Sequence, residues 1–340
     1  MRDEVLTGRM IGGPGWTADT VRSFFGGQSF YGIPCGATEK NGDPCGRIIH
    51  DYGFYPNGSY SINASHSSTT VKYISVAERV ELLENVHWFI KADLAHGFRQ
   101  FGAHPKDWRF QVYCNGIHEH YIDLACPFGK TNSTLEFCPP VASFAKSVTA
   151  NYKPPGLRHT PRLGSYVDDI FGGLVFSQSL AEALRFRRYI CYTGKTLSLE
   201  FNMKVNKTPL PATNQVILGS AYDSINRRVR VADKKRKKYI FRIETLLRLS
   251  WARVSDILKV HGNLNFAAEV SPFGRPFLAH LTNATLKASP KDYVYVTDMM
   301  KMGLRIWRHI LRANRGVTFD FVLGKLTRCS SDIFIDASTG

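Results

Sequence analysis

Gly164-Ser165-Tyr166-Val167-Asp168-Asp169-Ile170-Phe171 is the stretch on which the reading of this chain turns. Two adjacent carboxylates sit among aromatic and β-branched residues, a composition that predicts strand around them. Neighbouring carboxylates in an apolar strand repel and resist burial unless something positive compensates. A hard divalent cation does so well, because Mg²⁺ favours carboxylate and phosphate oxygens. An exposed turn with two solvated acids is the competing explanation, and the pair alone leaves both open. Asp93 is a third acid, at the end of a strand-like run over 87–92. Three acids from two strands suit two metal ions roughly 3.5–4 Å apart, as in phosphoryl transfer, provided the strands are neighbours.

The surrounding chain has 340 residues, 44 Lys+Arg and 28 Asp+Glu, a formal net charge of +16. That surplus points to a polyanionic partner, nucleic acid above all, since each neutralised phosphate releases condensed counterions. The densest run, Lys234-Lys235-Arg236-Lys237-Lys238, fits a phosphate grip or a solvated helix start equally, and a nuclear import signal less well. With 44% hydrophobic residues the chain can build a large core, which excludes wholesale disorder. No apolar run of about 18 residues occurs, so no membrane span or membrane partner is expected. The opening residues lack an apolar leader, and the seven Cys are odd in number. Reduced thiols in an intracellular protein, cytoplasmic or nuclear, are therefore expected. Cys35, Cys45 and His50 lack the CxxC spacing of a zinc site.

Outward from the paired acids, the periodicity predicts a helix over 75–86. Ser75 and Glu78 form its capping box, and Val76, Val80 and Leu83 its apolar face. Residues 109–125 predict a hairpin turning at Asn115-Gly116. Helices are expected near 139–151 and 179–192, with short strands near 197–203 and 214–222. Beyond the basic run the pattern becomes helical, over about 238–250, 253–268 and 293–313.

With these elements placed, Tyr166-Val167-Asp168-Asp169 resembles the YxDD signature of reverse transcriptases. Phe89-Ile90-Lys91-Ala92-Asp93-Leu94 followed by Phe98 resembles the family's first acidic motif, an acid with an aromatic five residues later. Cys126-Pro127-Phe128-Gly129 with Phe137 resembles its LPFG motif, and Pro211 with Leu218-Gly219 the later P…LG element. Arg47-Ile48-Ile49-His50-Asp51, Pro56-Asn57-Gly58 and Ser61-Ile62-Asn63 resemble the fingers pattern. Gly262-Asn263-Leu264-Asn265-Phe266-Ala267 and Gly274-Arg275-Pro276-Phe277-Leu278 resemble thumb segments. The ordered set covers about 40–280 and is most like the DIRS-type, tyrosine-recombinase retroelements. Asp332-Ile333-Phe334-Ile335-Asp336-Ala337-Ser338 resembles the first strand of an RNase H domain, whose other carboxylates are missing, so no RNase H activity is expected here.

The resemblance implies an α+β right-hand polymerase with fingers, a palm bearing an antiparallel sheet, and a helical thumb. Residues 1–232 would form fingers (1–86, 108–160) and palm (87–107, 161–232), 233–285 the thumb, 286–330 a helical connection, and 331–340 the start of a truncated RNase H-like domain. It implies that Asp93, Asp168 and Asp169 hold two Mg²⁺ ions, with Mn²⁺ as a substitute, for nucleotidyl transfer from dNTPs to a primer on an RNA or DNA template. Phe98 would be the steric gate against a 2′-hydroxyl. Lys40 and Arg47 would close on the triphosphate, Phe128 and Gly129 line the nucleotide pocket, and Lys207, or Lys204, protonate pyrophosphate. The run from Lys234 to Lys238 would grip the duplex. His96-Gly97, Thr134 and Phe128 depart from the pattern of many relatives without removing a catalytic acid. An RNA-dependent RNA polymerase and a non-catalytic nucleic-acid-binding relic remain as alternatives.

Overall fold

Ser75 and Glu78 do close a reciprocal cap, each side chain bonding the other's backbone N–H, and the helix they start buries Val76, Val80 and Leu83. In the computed structural model of the protein the described residues are 1–40, 43–55, 60–65, 71–155, 159–175, 179–286 and 288–325, with the side chains of 37–48 outside that description. The expected RNase H-like strand at 332–338 and the Pro56-Asn57-Gly58 turn fall outside it as well.

In chain order the first elements are α1 (Arg2–Leu6), β1 (Met10–Pro14), α2 (Ala18–Phe24), β2 (Gly32–Lys40), β3 (Asp43–His50), α3 (Ile62–Ser65), α4 (Val76–Leu83) and β4 (Val86–Asp93). Next come β5 (Val112–Cys114), β6 (Glu119–Asp123), α5 (Ser133–Asn151), β7 (Arg162–Tyr166), β8 (Asp169–Val175) and α6 (Leu180–Thr196). The remainder is β9 (Asn214–Ile217), β10 (Ser220–Asp223), β11 (Arg228–Val231), α7 (Asp233–Leu247), β12 (Trp251–Arg253), α8 (Val254–Ala268), α9 (Ala279–Thr285), β13 (Tyr293–Tyr295), α10 (Asp298–Ala313), β14 (Val317–Thr318) and α11 (Phe319–Val322).

Four expectations are corrected. The helix expected from Pro139 begins at Ser133 and runs through both Pro139 and Pro140. The buried stripe Phe137, Val141, Phe144, Ala145 and Val148 keeps helical spacing across the prolines, and its burial outweighs the lost backbone bonds. The single strand expected at 214–222 is a hairpin, folded at Leu218-Gly219, both with positive φ as a type I′ turn requires. No strand forms at 197–203, where Ser198 adopts positive φ and only Phe201 pairs, with Leu94. The last expected helix starts at Asp298, capped by Thr297, and its first residues instead form β13.

The chain divides into two compact units. One comprises Met1–Tyr73, Lys91–Phe171 and Ser179–Leu210. Its main sheet has the order β1-β6-β5-β2-β3, antiparallel except for the β2–β5 pair. Successive strand residues enter opposite layers: Tyr113 and Tyr121 join Met10, Ile33, Tyr52 and Ile62, whereas Val112 and Ile122 join Val21. A polar chain crosses the first layer. Arg99 donates to Asp123 (2.6 Å) and to Glu4 (2.8 and 3.1 Å), the Tyr113 hydroxyl donates to Asp123 (2.9 Å), and Tyr52 and Tyr113 share a hydroxyl bond of 2.8 Å.

His50 stacks on Tyr113 with ring centroids 3.7 Å apart, and neither ring nitrogen has a hydrogen-bond partner among the described residues. Burial first, and the nearby Arg99 charge second, lower its pKa from 6.5 to about 4. The neutral ring therefore adds stability that is complete above pH 6.5 and lost as pH falls from 6.5 to about 4. Urea unfolding should show wild type losing ~2 kcal/mol more than His50→Phe between pH 7.5 and 5, at about 1.4 kcal/mol per unit. Parallel pH profiles would remove His50 as the cause.

The other unit comprises Ile74–Ile90, Gly172–Gln178 and Pro211–Gly340. Its sheet has the order β14-β11-β10-β9. The apolar stripe Met300, Leu304, Trp307 and Leu311 of α10 is buried as the spacing predicts. Gly173 of β8 has φ +151°, and a Cβ there would lie 1.9 Å from the Trp88 carbonyl oxygen of β4. Only glycine permits that approach of strand to strand. Residues 211–232, grouped in the sequence reading with the front half, belong to this unit because β11 pairs with β14.

Candidate active site

Asp93 ends β4, and its backbone is pinned on both sides. Its N–H donates to Thr208 Oγ1 (3.2 Å), and its carbonyl accepts from the Asn202 N–H (2.8 Å). The next N–H, of Leu94, donates to the Asp168 carbonyl at 2.9 Å. That bond brings together two acids 75 positions apart in the chain. Asp168 lies in the two-residue turn between β7 and β8, beside Val167 at φ +52°. A β-branched residue in that conformation stores about 1–3 kcal/mol of strain, held by the strands on either side.

Burial raises the Asp168 carboxyl above its ordinary pKa, and the negative charges of Asp169 and Asp93 raise it further. Lys207 opposes this; its ammonium is 3.1 Å from Asp93 Oδ1 and half-exposed. Asp169 opens β8 and faces Lys91 of β4, Nζ to Oδ1 3.0 Å. That contact is not aligned as a hydrogen bond, and Oδ1 is otherwise buried without one. The structure thus joins Asp93, Asp168 and Lys207, and ties Asp169 to Lys91. Among the described residues no three His, Cys, Asp or Glu side chains form a ligand set for one ion.

Below Asp168 the chain reverses through His96 (φ +60°) and Gly97 (φ +41°) into a short 3₁₀ turn, Gly97–Gln100. A Cβ on Gly97 would touch Asp168 Cβ at 3.5 Å, so this glycine floors the acid. Gln100 locks the turn, accepting from the Glu200 N–H (2.6 Å) and donating to the carbonyls of Ala95 and Glu200. Phe98, on the same turn, lies 4.5 Å from the buried Phe137 ring and 5.1 Å from Phe128, which is half-exposed. Gly129 has φ +94°; its carbonyl accepts from Asn63 Nδ2 (3.0 Å) while Thr131 N–H donates to Asn63 Oδ1 (2.9 Å). One amide therefore staples the Phe128-Gly129 loop to the segment before α4.

Lys40 and Arg47 occupy β2 and β3, paired in register through Lys40↔Asp43 and Thr38↔Arg47, and their side chains lie outside the described residues. Lys204 is exposed and its carbonyl closes the turn that carries Lys207. The basic run is the first turns of α7, not a uniform grip. Lys234, Lys237 and Lys238 are exposed. Lys235 instead turns inward, its ammonium 3.7 Å above the Phe266 ring and packed onto Gly219, and burial lowers its pKa. Arg236 pairs with Asp233 at 3.0 Å.

Three site-building residues carry no signal in local sequence. Thr208 holds Asp93, Arg187 of α6 donates to the Thr208 and Pro209 carbonyls (2.8 and 3.0 Å), and Arg99 anchors the turn bearing Gly97 and Phe98. Asn63 had a sequence signal, as part of the fingers pattern, but no assigned role.

No protein-family model and no curated protein matches this chain. Solved structures do. A foamy viral protease-reverse transcriptase in complex with double-stranded DNA is similar over 93% of this chain and 47% of its own, at TM-score 0.65 and 15% identity. The foamy viral enzyme with an RNA/DNA hybrid gives 0.65 and 16%, over 93% of this chain and 36% of its own. A further double-stranded DNA complex gives 0.63 and 16%, over 93% and 56%. The chain spans about half the length of these proteins or less. No helix among the described residues is long and apolar enough to cross a membrane. At such identity the likeness establishes architecture: the chain has a mixed α/β, reverse-transcriptase-like fold.

Proposed function

We propose that the chain is an RNA-directed DNA polymerase of a mobile element, extending a primer on an RNA or DNA template with dNTPs. The observation that supports this best is the meeting of Asp93 and Asp168, with Gly97 beneath and Lys207 beside them. In this reading the thumb (233–285) and connection (286–330) follow the boundaries expected from the sequence, 331–340 begin an RNase H-like domain, and the resemblance is to DIRS-type retroelements.

Asp93 and Asp168 fit a hard divalent cation: both are oxygen donors, and Asp168 is crowded by negative charge that a cation relieves. Mg²⁺ or Mn²⁺ held there, with Asp169 as an outer carboxylate, would supply charge neutralisation for the triphosphate and a more acidic primer hydroxyl. The chain's own groups do the rest. Lys207 presents a half-exposed ammonium beside Asp93, able to exchange its carboxylate partner for a triphosphate oxygen and give a proton to pyrophosphate. Lys40 and Arg47 grip the triphosphate, and Phe128 and Gly129 line the nucleotide pocket. Lys234, Lys237 and Lys238 meet the duplex backbone. Phe98, braced by Phe137 and Phe128, cannot yield to a 2′-hydroxyl.

Phe98→Ala is accordingly expected to raise ribonucleotide use relative to deoxynucleotide use about tenfold or more, at ~1.4 kcal/mol per decade, in single-nucleotide extension. An unchanged ratio would make Phe98 a core aromatic only. The reading as a whole is tested by primer extension on an RNA template with Mg²⁺ or Mn²⁺; absence of product sinks it. One observation favours the alternative of a nucleic-acid-binding relic: Lys207 and Lys91 already neutralise Asp93 and Asp169. Tight binding without synthesis is its signature.

A further inference from the structure

β12 and β13 form a two-stranded antiparallel ribbon with Trp251 opposite Tyr295 and Arg253 opposite Tyr293. Its two faces differ sharply. Ala252 is buried and Val294 half-buried, whereas Trp251, Tyr293 and Tyr295 are 60%, 57% and 53% exposed. Trp251 and Tyr295 meet edge to face at 5.6 Å. The Arg253 guanidinium donates to the Tyr293 hydroxyl (2.7 Å) and lies 5.4 Å from the Tyr293 ring centre. Burying none of these rings in the core, the fold spends three large aromatic surfaces on solvent, which marks a contact face.

We infer that this ribbon is a stacking platform for unpaired bases of a single-stranded nucleic acid. The two rungs, Trp251/Tyr295 and Arg253/Tyr293, are two residues apart along each strand, about 6.8 Å, so each can take one base of an extended strand. Charge complementarity selects this occupant. The cation of Arg253 is built into the second rung, and exposed Arg248, Lys259 and Lys291 lie near it in the chain. Against them stand two exposed acids, Asp292, which accepts from the Ser289 N–H, and Asp256, which pairs with Lys259; the chain as a whole carries +16. An unpaired base offers a π-face to the rings and its phosphate an anion to the guanidinium. A duplex hides its base faces and satisfies only the charge. The backbone is held independently of the rings: Val254 N–H donates to the Asp292 carbonyl and Val296 N–H to that of Ser250, where the ribbon passes into α8 and α10.

The inference goes beyond polymerisation and stands whether or not the chain synthesises DNA. Fluorescence anisotropy with the full chain measures it, using a labelled short oligo(dT) and a labelled duplex of equal length. Trp251→Ala/Tyr295→Ala is expected to weaken oligo(dT) binding about tenfold or more, with the duplex affinity changed less than about twofold. Trp251→Phe/Tyr295→Phe keeps the rings and should retain most of the binding, and unchanged thermal melting shows that both variants fold. An unchanged oligo(dT) affinity, or equal losses on oligo(dT) and duplex, overturns the inference. So does loss of self-association in sedimentation with oligo(dT) affinity retained, which would make the ribbon a contact between two copies of the chain.

Discussion

Asp168→Asn is expected to lower primer extension about a thousandfold or more, ~4 kcal/mol of lost charge stabilisation at 1.36 kcal/mol per decade. The amide keeps the size and shape of the carboxyl and removes its charge where negative charge is already crowded against Asp93 and Asp169. For the same reason the variant should be at least as stable as wild type when both are melted in chelator. Burial raises the native carboxyl above its ordinary pKa, so the ionised form is the one the fold disfavours at neutral pH. Oligonucleotide affinity should hold within about twofold. Gain or parity in thermal midpoint together with lost synthesis is the mark of a functional acid held at a cost to stability. Synthesis that persists at near wild-type rate removes Asp168 from the chemistry, and a lower melting point together with lost binding makes it a structural residue.

Arg99→Ala should have the largest effect on stability, about 3–5 kcal/mol, because it strands Asp123 without its guanidinium in a site where the acid is fully buried. Against a total of roughly 5–15 kcal/mol, that is a large fraction. Asp123→Asn should cost a comparable amount, and a double-mutant cycle measured by urea unfolding should return strong coupling between the two positions. The cost reaches the candidate site as well. Arg99 follows Phe98 in the turn that floors Asp168, and Glu4 and Asp123 hold it from two other elements. A loss below about 1 kcal/mol for both single variants would show the pair to be dispensable.

The acids, the helix faces and the ring positions were legible in the sequence because their signals are local. Ser75 and Glu78 are three residues apart, and the α10 stripe repeats at helical spacing, so neighbours in the chain are neighbours in space. The α5 boundary was misread because the proline pair is a strong local stop signal, and a buried stripe formed by tertiary packing overrode it. The 214–222 hairpin was misread because Leu218 gives no hint of the positive φ that it shares with Gly219. Lys235 was counted with its basic neighbours, and only the packing of Phe266 and Gly219 draws it inward.

The amino-acid order alone carries which carboxylates, aromatics and cations are available, where they fall along the chain, and those helices whose caps and apolar stripes are local, such as α4 and α10. The tertiary structure alone decided their pairing. It set Asp168 against Asp93 and Asp169 against Lys91, gave Asp93 its support from Thr208, 115 positions away, and joined Arg99 to Glu4 across 95. Such contacts leave no periodicity to read. They exist only once the intervening chain has closed, and burial in the finished core, not spacing along it, makes one partner better than another.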